Sequence, residues 1–191
     1  MTESILLEVF KNNDFSKEEL ITLGTHLKKI DLKKGDILLR NGQTVLHTHY
    51  VYSGCLRTFF IDDSGKDHTL QFAIKDWWIS DYTAFFSADK ATMNIECIQD
   101  TTLFRLSRKD MQQLYINIPM FETFFRKKLE NRMVEFHKRT ISNLSLTAKQ
   151  QYLSFIKTYP KIEQLVKNYN IASYLGMTTQ TLSKIRKEIV Q

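Results

Sequence analysis

The chain has 191 residues, of which 42% are hydrophobic and 25% charged, a composition typical of a folded protein and not of a disordered one. Its length allows one large domain, or a medium domain followed by a small one. No apolar run approaches ~18 residues, and the first residues carry no basic leader, so we expect neither a membrane span nor a secretory signal. Two cysteines, Cys55 and Cys97, are too few for a four-thiolate metal site, and a reduced cytoplasmic location is the default expectation.

Positive charge is concentrated in the C-terminal part of the chain. Residues 1–118 carry 14 Lys and Arg against 16 Asp and Glu, a balance of −2, whereas residues 119–191 carry 13 against 5, a balance of +8. The two balances add up to the formal net charge of +6. Such an asymmetry is expected when one end of a protein meets a polyanion, although a basic helix that faces water would give the same count.

Residues 4–30 show two short helical patterns. Ser16 and Glu19 fit a capping box at the start of the second, where the hydroxyl and the carboxylate each bond to a free backbone N–H group. Leu20, Leu23 and Leu27 follow on one face. We expect these helices to pack against a neighbouring unit, and they show no candidate chemistry.

From Asp31 onward the pattern changes to short strands between turn residues. The strand-like runs are DILLR, HTHYVYSG, CLRTFFI, HTLQFAI, MNIECI and TTLFRLS. Short strands at this spacing, with glycines between them, predict an antiparallel sandwich or barrel. Its interior could enclose a small ligand.

One imidazole pair in this region allows an alternative. His47 and His49 are two residues apart on one predicted strand, so their side chains face the same way and could share a metal ion, as in a cupin-like enzyme. No carboxylate follows at a fitting offset, and the next histidine is His68. Because no nucleophile triad, Walker loop or GxGxxG run occurs either, we expect no catalytic residue, no resident metal and no cofactor.

The segment 119–145 is predicted to be one long helix. Pro119 suits its first position, because a proline lacks only a donor that would be unpaired there. An apolar seam about five turns long then follows at steps of four, four, four and three, formed by Phe121, Phe125, Leu129, Met133 and Phe136. The seam predicts pairing with a second copy of the chain. Packing onto the strand domain is the alternative, and both can hold because one helix can serve two faces.

The segment 146–191 is predicted to be a small helical domain. Within it, Ile171 and Leu175 share a helical face, Gly176 suits a left-handed helix end, and Thr178 can cap the next helix. Leu182, Ile185 and Ile189 give that helix a buried stripe. The spacing predicts a helix-turn-helix, and an ordinary helical hairpin in a core is the alternative.

The outward residues of the last helix are of the types that contact DNA in a major groove. Hydroxyl, amide and lysine groups bond to base edges, and the candidates for such contacts are Thr179, Gln180, Ser183 and Lys184. The candidates for phosphate contacts are Thr178, Arg186 and Lys187.

Taken together, these parts resemble regulators of the CRP/FNR superfamily. The runs KKGDILLRNGQ, YVYSGCLRTFFIDDSGKDHTLQF and KDWWISDYTAFF are similar to the double-stranded β-roll of cyclic-nucleotide-binding domains. The long helix and the helix-turn-helix follow in that family's order. The resemblance implies an α+β protein with an N-terminal double-stranded antiparallel β-roll (jelly-roll-like) at 1–118, a dimerisation helix at 119–145 and a DNA-binding domain at 146–191.

The resemblance also implies an effector pocket and partners. The family's ribose-binding and phosphate-binding positions fall on Asp81, Ala91 and Thr92, with Tyr82 beside them and Phe136 and His137 where the base would lie. Ala91 stands where nucleotide binders have an arginine, so a cyclic phosphate would lack its guanidinium partner, and we expect no response to cyclic AMP. The aromatic segment nearby predicts a cavity filled by side chains or reshaped for an apolar effector. The expected partners are a palindromic double-stranded DNA site, a second copy of the chain and RNA polymerase.

A further alternative keeps the β-roll as an effector-binding or protein-interaction module without DNA binding. The salt dependence of DNA affinity discriminates between the two readings.

Overall fold

Two antiparallel four-stranded sheets face each other in the N-terminal part of the computed structural model, which describes the backbone of residues 2–190 and the side chains of residues 2–189. One sheet has the order β1-β8-β3-β6 and the other the order β2-β7-β4-β5. The strands are β1 Lys28–Leu32, β2 Ile37–Leu39, β3 His47–Ser53, β4 Cys55–Ile61, β5 Asp67–Ile74, β6 Trp78–Ile79, β7 Asn94–Cys97 and β8 Thr101–Ser107. The predicted α+β class with an antiparallel β-roll is confirmed.

Each strand-like run of the sequence contains a strand, but two strands were missed. β1 begins with Lys28-Lys29, which lack the alternation of apolar residues expected of a strand, and it is held in place by pairing with β8. β6 has only two residues and is defined by its pairing with His49 and Tyr50 of β3. Cross-strand hydrogen bonds, and not local propensity, decide both elements.

The turn between β3 and β4 requires a glycine at position 54. Gly54 has φ +95°, and a Cβ atom there would lie 2.5 Å from the backbone oxygen of Asp100. Only a glycine fits this close approach. Between the two sheets, the apolar core contains Val51, Leu56, Ile79, Ile95 and Leu103 among others.

Five helices lie around the β-roll: α1 Glu3–Val9, α2 Lys17–His26, α3 Tyr82–Ser87, α4 Arg108–Asn117 and α5 Pro119–Ser145. The predicted capping box of α2 is present, with Ser16 and Glu19 bonded to each other's backbone N–H groups. A second core joins these helices to the outer face of the first sheet, where Tyr50, Trp78 and Phe104 meet Phe10 and Phe124. The helices therefore cover one face of the β-roll.

α5 has two different halves. Its 27 residues extend about 40 Å, beginning with Pro119 at the first turn. The buried residues of the helix, Phe121, Phe124 and Phe125, all lie in the first two turns, within the core of the β-roll. Beyond Leu129 the helix leaves that core and exposes apolar side chains.

Four helices end the chain: α6 Ala148–Thr158, α7 Pro160–Leu165, α8 Asn168–Tyr174 and α9 Thr179–Val190. α7 has no counterpart among the segments predicted above; it is a helix that begins with Pro160 and buries Ile162. α8 packs against β5, and Thr69 N donates to Ser173 Oγ at 2.8 Å. No helix within residues 2–190 is both long and apolar enough to cross a bilayer.

Candidate nucleic-acid interface and effector cavity

The turn between α8 and α9 has the local geometry that its residue types predict. Gly176 is left-handed, with φ +68°, and Met177 N donates to Ala172 O at 3.0 Å, which closes the end of α8. Thr178 Oγ1 accepts from Thr181 N at 3.1 Å and so caps α9. Leu182 and Ile185 are buried under the turn, whereas the third residue of the predicted stripe, Ile189, is exposed.

The polar residues predicted to contact DNA lie on the outside of this turn and of α9. Thr178, Thr179, Gln180, Ser183, Lys184 and Lys187 are all exposed. From Thr179 onward their positions follow at steps of one, three, one and three along the sequence, which places them on one helical face. The one carboxylate of α9, Glu188, lies 3.5 Å from Lys149 Nζ. The exposed face therefore combines hydroxyl, amide and ammonium donors with no free carboxylate of its own helix.

Arg186 is placed differently from the other predicted DNA contacts. Its Nη2 lies 2.6 Å from Glu163 Oε1, its Nε donates to Tyr152 Oη at 2.9 Å, and its Nη1 bonds to Asn168. Its side chain is only 25% exposed. The expectation that Arg186 meets phosphate is corrected, because the guanidinium is already engaged in holding α6, α7, α8 and α9 together.

The residues predicted to hold an effector phosphate are not arranged around a common space. Asp81 is buried, and its carboxylate accepts from Ala84 N at 3.2 Å and from Thr92 N at 2.8 Å and Thr92 Oγ1 at 3.2 Å. It therefore caps α3 and ties it to residue 92. Ala91 is buried and supplies no polar group. These three residues stabilise a loop of this chain, and none of them belongs to the lining of the cavity that contains Tyr82 and Phe136, as far as the described residues show.

Tyr82 and Phe136, by contrast, line the same cavity. It has a volume of about 440 Å³ and lies between β5, α3, α5 and the C-terminal helices. Tyr82 Oη lies 3.0 Å from Thr48 Oγ1, and burial raises the pKa of this phenol. His137, the last of the predicted pocket residues, is exposed and is not part of the lining. The cavity is aromatic, and its other lining includes Leu70, Met133, Tyr159 and Tyr174.

Two arginines of α5 that the sequence analysis overlooked border this cavity. Arg132 bonds to Gln71 Oε1 and lies 4.5 Å above the ring of Trp77. Arg139 donates to the backbone oxygens of Leu70 and, at 2.8 Å, of Tyr174, and burial lowers its pKa. In the sequence both arginines belong to the basic segment that follows residue 118. Their spacing of seven residues places them on one face of α5. α5 is thus joined through them both to the β-roll and to α8.

The predicted dimer seam is also divided by the structure. Phe121 and Phe125 are fully buried inside this chain and are unavailable to a partner, so their assignment to the seam is corrected to the alternative, packing onto the β-roll. Leu129 is partly buried against the same core.

Met133 and Phe136 are exposed, by 59% and 63%. Three further exposed apolar residues extend that surface toward the end of the helix, namely Val134, Ile141 and Leu144. Val134 and Ile141 are seven residues apart, a signal that was present in the sequence.

The imidazole pair is inside the β-roll. The ring centres of His47 and His49 lie 6.2 Å apart. Among the residues that the structure describes, no group of three or more His, Cys, Asp or Glu side chains is placed to hold a metal ion. The cupin-like alternative therefore gains no support from the geometry.

Known proteins agree with this architecture. Residues 29–117 match the family model of the cyclic nucleotide-binding domain. The transcriptional activator protein Anr of Pseudomonas protegens is 18% identical over 165 residues, which are 81% of this chain and 67% of Anr.

Solved structures extend the similarity beyond the β-roll. The c-di-GMP-responsive global regulator CLP of Xanthomonas campestris has a TM-score of 0.74 at 13% identity, covering 91% of each chain. A putative regulator of the CRP/FNR family from Eubacterium rectale has a TM-score of 0.70 at 16% identity, covering 92% of this chain and 83% of its own. At these identities the likeness shows a shared fold, in which the C-terminal helices are included.

Proposed function

Because the chain belongs to the CRP/FNR family of transcriptional regulators, with a cyclic nucleotide-binding domain at residues 29–117, we propose that it acts by binding double-stranded DNA as a homodimer. α8 and α9 form the helix-turn-helix of this proposal, and α9 is the helix that enters the major groove. The activity is a regulatory one and involves no catalysis.

The observation that carries the proposal is the outer face of α9. Thr179, Gln180 and Ser183 can donate to and accept from base edges, while Lys184 and Lys187 bring positive charge to the same face. The other two charged residues of this helix form salt bridges within the chain, Glu188 with Lys149 and Arg186 with Glu163. An ordinary core hairpin would not need an exposed face with this chemistry. Thr178 at the cap of α9 is suited to a phosphate contact.

The exposed second half of α5 supports a two-fold dimer. Met133, Phe136, Ile141 and Leu144 expose apolar surface along three turns of the helix, and a second copy of the same helix would cover it. Such a dimer presents two copies of α9, which in this class of protein lie one DNA turn apart, about 34 Å. A palindromic operator follows from the two-fold symmetry.

The same geometry favours an effector other than cyclic AMP, or none. Residue 91 offers no guanidinium, and the buried carboxylate of Asp81 already accepts the hydrogen bonds of Thr92. A buried cyclic phosphate would lie near an anionic side chain without a charged partner, which is costly. Calorimetric titration with cyclic AMP tests this, and saturable micromolar binding would refute it.

The decisive experiment is selection of bound duplexes from a random DNA pool, followed by affinity measurements over a range of salt concentrations. We expect an enriched palindrome, and a log–log slope of affinity against salt set by the number of phosphate contacts. The variant Lys184→Ala/Lys187→Ala should lose affinity and slope. A matched control, Lys34→Ala/Lys66→Ala, removes the same charge from exposed positions on the β-roll and should change neither.

Enrichment of no sequence, with binding equal to that of random competitor, would refute DNA-binding regulation. It would leave the β-roll as a protein-interaction or effector-binding module.

A further inference from the structure

A second cavity lies inside the β-roll, away from α5. Its volume is about 400 Å³, and it is bordered by both sheets and by the segment 43–46 that precedes β3. It shares no lining residue with the cavity that contains Tyr82 and Phe136. The volume lies within the range of small-ligand sites, roughly 300–1,000 Å³.

The polar wall of this cavity comes from two neighbouring strands. His49 of β3 is paired in register with Arg105 of β8, and His47 is two residues from His49 on the same face. Val51 and Leu103, two residues farther along on the same strands and the same face, are part of the core between the sheets. The three polar side chains therefore point inward, at the end of that core.

One donor of this wall has no hydrogen-bond partner. Arg105 Nε is buried and unpaired, and Nδ1 of the buried residue His49 is unpaired beside it. No carboxylate lies within ion-pair distance of Arg105 in the described part of the chain. None of the residues that line the cavity is acidic. Arg105 as a whole is partly buried, and its buried Nε–H is a donor that lacks an acceptor on the cavity side.

Most of the remaining wall is apolar, with Gln43 and Thr44 as further polar residues. The apolar side chains come from four different segments, and they are Ile30, Leu38, Leu39, Val45, Leu46 and Ile95. Ser80 is also at the wall, but its hydroxyl already donates to the backbone oxygen of His47 at 2.9 Å. A matching ligand has one anionic end and a short aliphatic body.

We propose that this cavity binds a small aliphatic monocarboxylate. The carboxylate accepts from the guanidinium of Arg105, and the aliphatic part lies against Ile30, Leu39 and Ile95. A single guanidinium balances one negative charge, whereas a phosphate dianion would bring a second charge into the β-roll. A divalent metal on the two imidazoles is disfavoured by the adjacent cation and by the lack of a carboxylate ligand.

The test is titration of the full-length protein with propanoate, isovalerate and hexanoate in separate experiments. Binding is measured by calorimetry and by the NMR signal of Arg105 Nε–H. We expect one saturable site for at least one of the three acids and a shift of that signal on binding. The neutral amide of the same acid should bind about ten- to a hundredfold more weakly, because a charge-assisted hydrogen bond is lost.

Variants provide the second line of evidence. Arg105→Gln should weaken the acid by about ten- to a hundredfold, and Arg40→Gln, an exposed arginine that does not line the cavity, should leave it unchanged. Should Arg105→Gln fail to fold, the comparison of acid with amide on the wild-type protein decides alone. Equal affinity for acid and amide, no binding by any of the three acids at millimolar concentration, or displacement of the Arg105 signal by phosphate or Zn²⁺ alone would overturn the proposal.

Discussion

The guanidinium carbon of Arg139 lies 3.9 Å from the centre of the Tyr174 ring, so the long helix α5 and α8, the first helix of the proposed helix-turn-helix, are in direct contact. The same side chain donates to the backbone oxygens of Tyr174 and Leu70. One arginine thus joins α5, α8 and β5. It also lines the cavity that contains Tyr82 and Phe136.

Replacement of Arg139 tests this connection. Arg139→Met removes the donors to two backbone oxygens, and we expect a loss of stability of about 2 kcal/mol, together with faster amide exchange in α8. Lys138→Met removes the same charge from the adjacent, exposed position and should change neither. Unfolding in urea and hydrogen–deuterium exchange are the measurements. Equal exchange in both variants would show that Arg139 does not hold α8.

Arg186 and Lys187 are neighbours with opposite expected effects. Arg186→Ala should destabilise the C-terminal helices by about 1–3 kcal/mol, since Glu163 would keep a partly buried charge without its partner. Lys187→Ala should leave the midpoint of thermal unfolding unchanged and weaken all DNA sequences alike, reducing the salt slope by about 1. Calorimetry and fluorescence anisotropy with labelled duplexes separate the two effects. An unchanged unfolding midpoint in Arg186→Ala would contradict the structural role.

Gln180 is the residue expected to read a base. Gln180→Ala should relax selection at one base pair of each half-site, at a cost of about 1–3 kcal/mol for the preferred base. The enrichment profile of the variant from a random duplex pool is the measurement. If the selected site is identical to that of the wild-type protein, Gln180 does not contact a base.

The exposed part of α5 predicts which substitutions would break the proposed dimer. Ile141→Glu and Leu144→Glu should leave the protein monomeric at micromolar concentration, because each would bury a carboxylate in the proposed apolar interface. Ile116→Glu is the matched control, since Ile116 is 81% exposed on α4, away from the predicted interface. Sedimentation equilibrium gives the oligomeric state. A dimer that survives both substitutions on α5 must use another surface.

His49 predicts a dependence of stability on pH. Burial lowers its pKa to about 3 from the ordinary 6.5, with the charges of His47 and Arg105 acting in the same direction, and burial also lowers the pKa of His47. Below pH 6.5 the unfolded chain therefore binds a proton that folded His49 does not. Stability should fall from pH 6.5 toward pH 3, by up to about 1.4 kcal/mol per pH unit for this one group.

The comparison of variants isolates that contribution. His49→Gln should flatten the dependence of the free energy of unfolding on pH between 6.5 and 5, whereas His137→Gln, at an exposed position of α5, should keep the wild-type slope. Chemical denaturation at several pH values provides the slopes. A slope unaffected by His49→Gln would mean that other groups dominate acid unfolding.

Local chemistry predicted much of the candidate site. The cap at Thr178, the left-handed Gly176 and the buried Leu182 depend on residues within one or two turns of each other, and each is observed. The strand runs were predictable for the same reason, because alternation and turn residues are local signals. β6 and α7 were not, since the first has two residues held by β3, and the second depends on burying Ile162 among helices distant in sequence.

The sequence by itself determined where the two N-terminal helices, the long helix α5, the pair α8 and α9 and most strands lie, which face of α9 is polar, and that positive charge gathers after residue 118, because these properties depend on residue type and spacing. Only the tertiary structure decided which members of a pattern are free to act. Phe125 and Phe136 have equal hydropathy and share a helix, yet the first is buried against the β-roll and the second is exposed. Arg186 and Lys187 differ in the same way, because the helix turns one toward Glu163 and the other toward solvent. Burial and partner choice are properties of contacts between distant segments, which spacing along one segment does not contain.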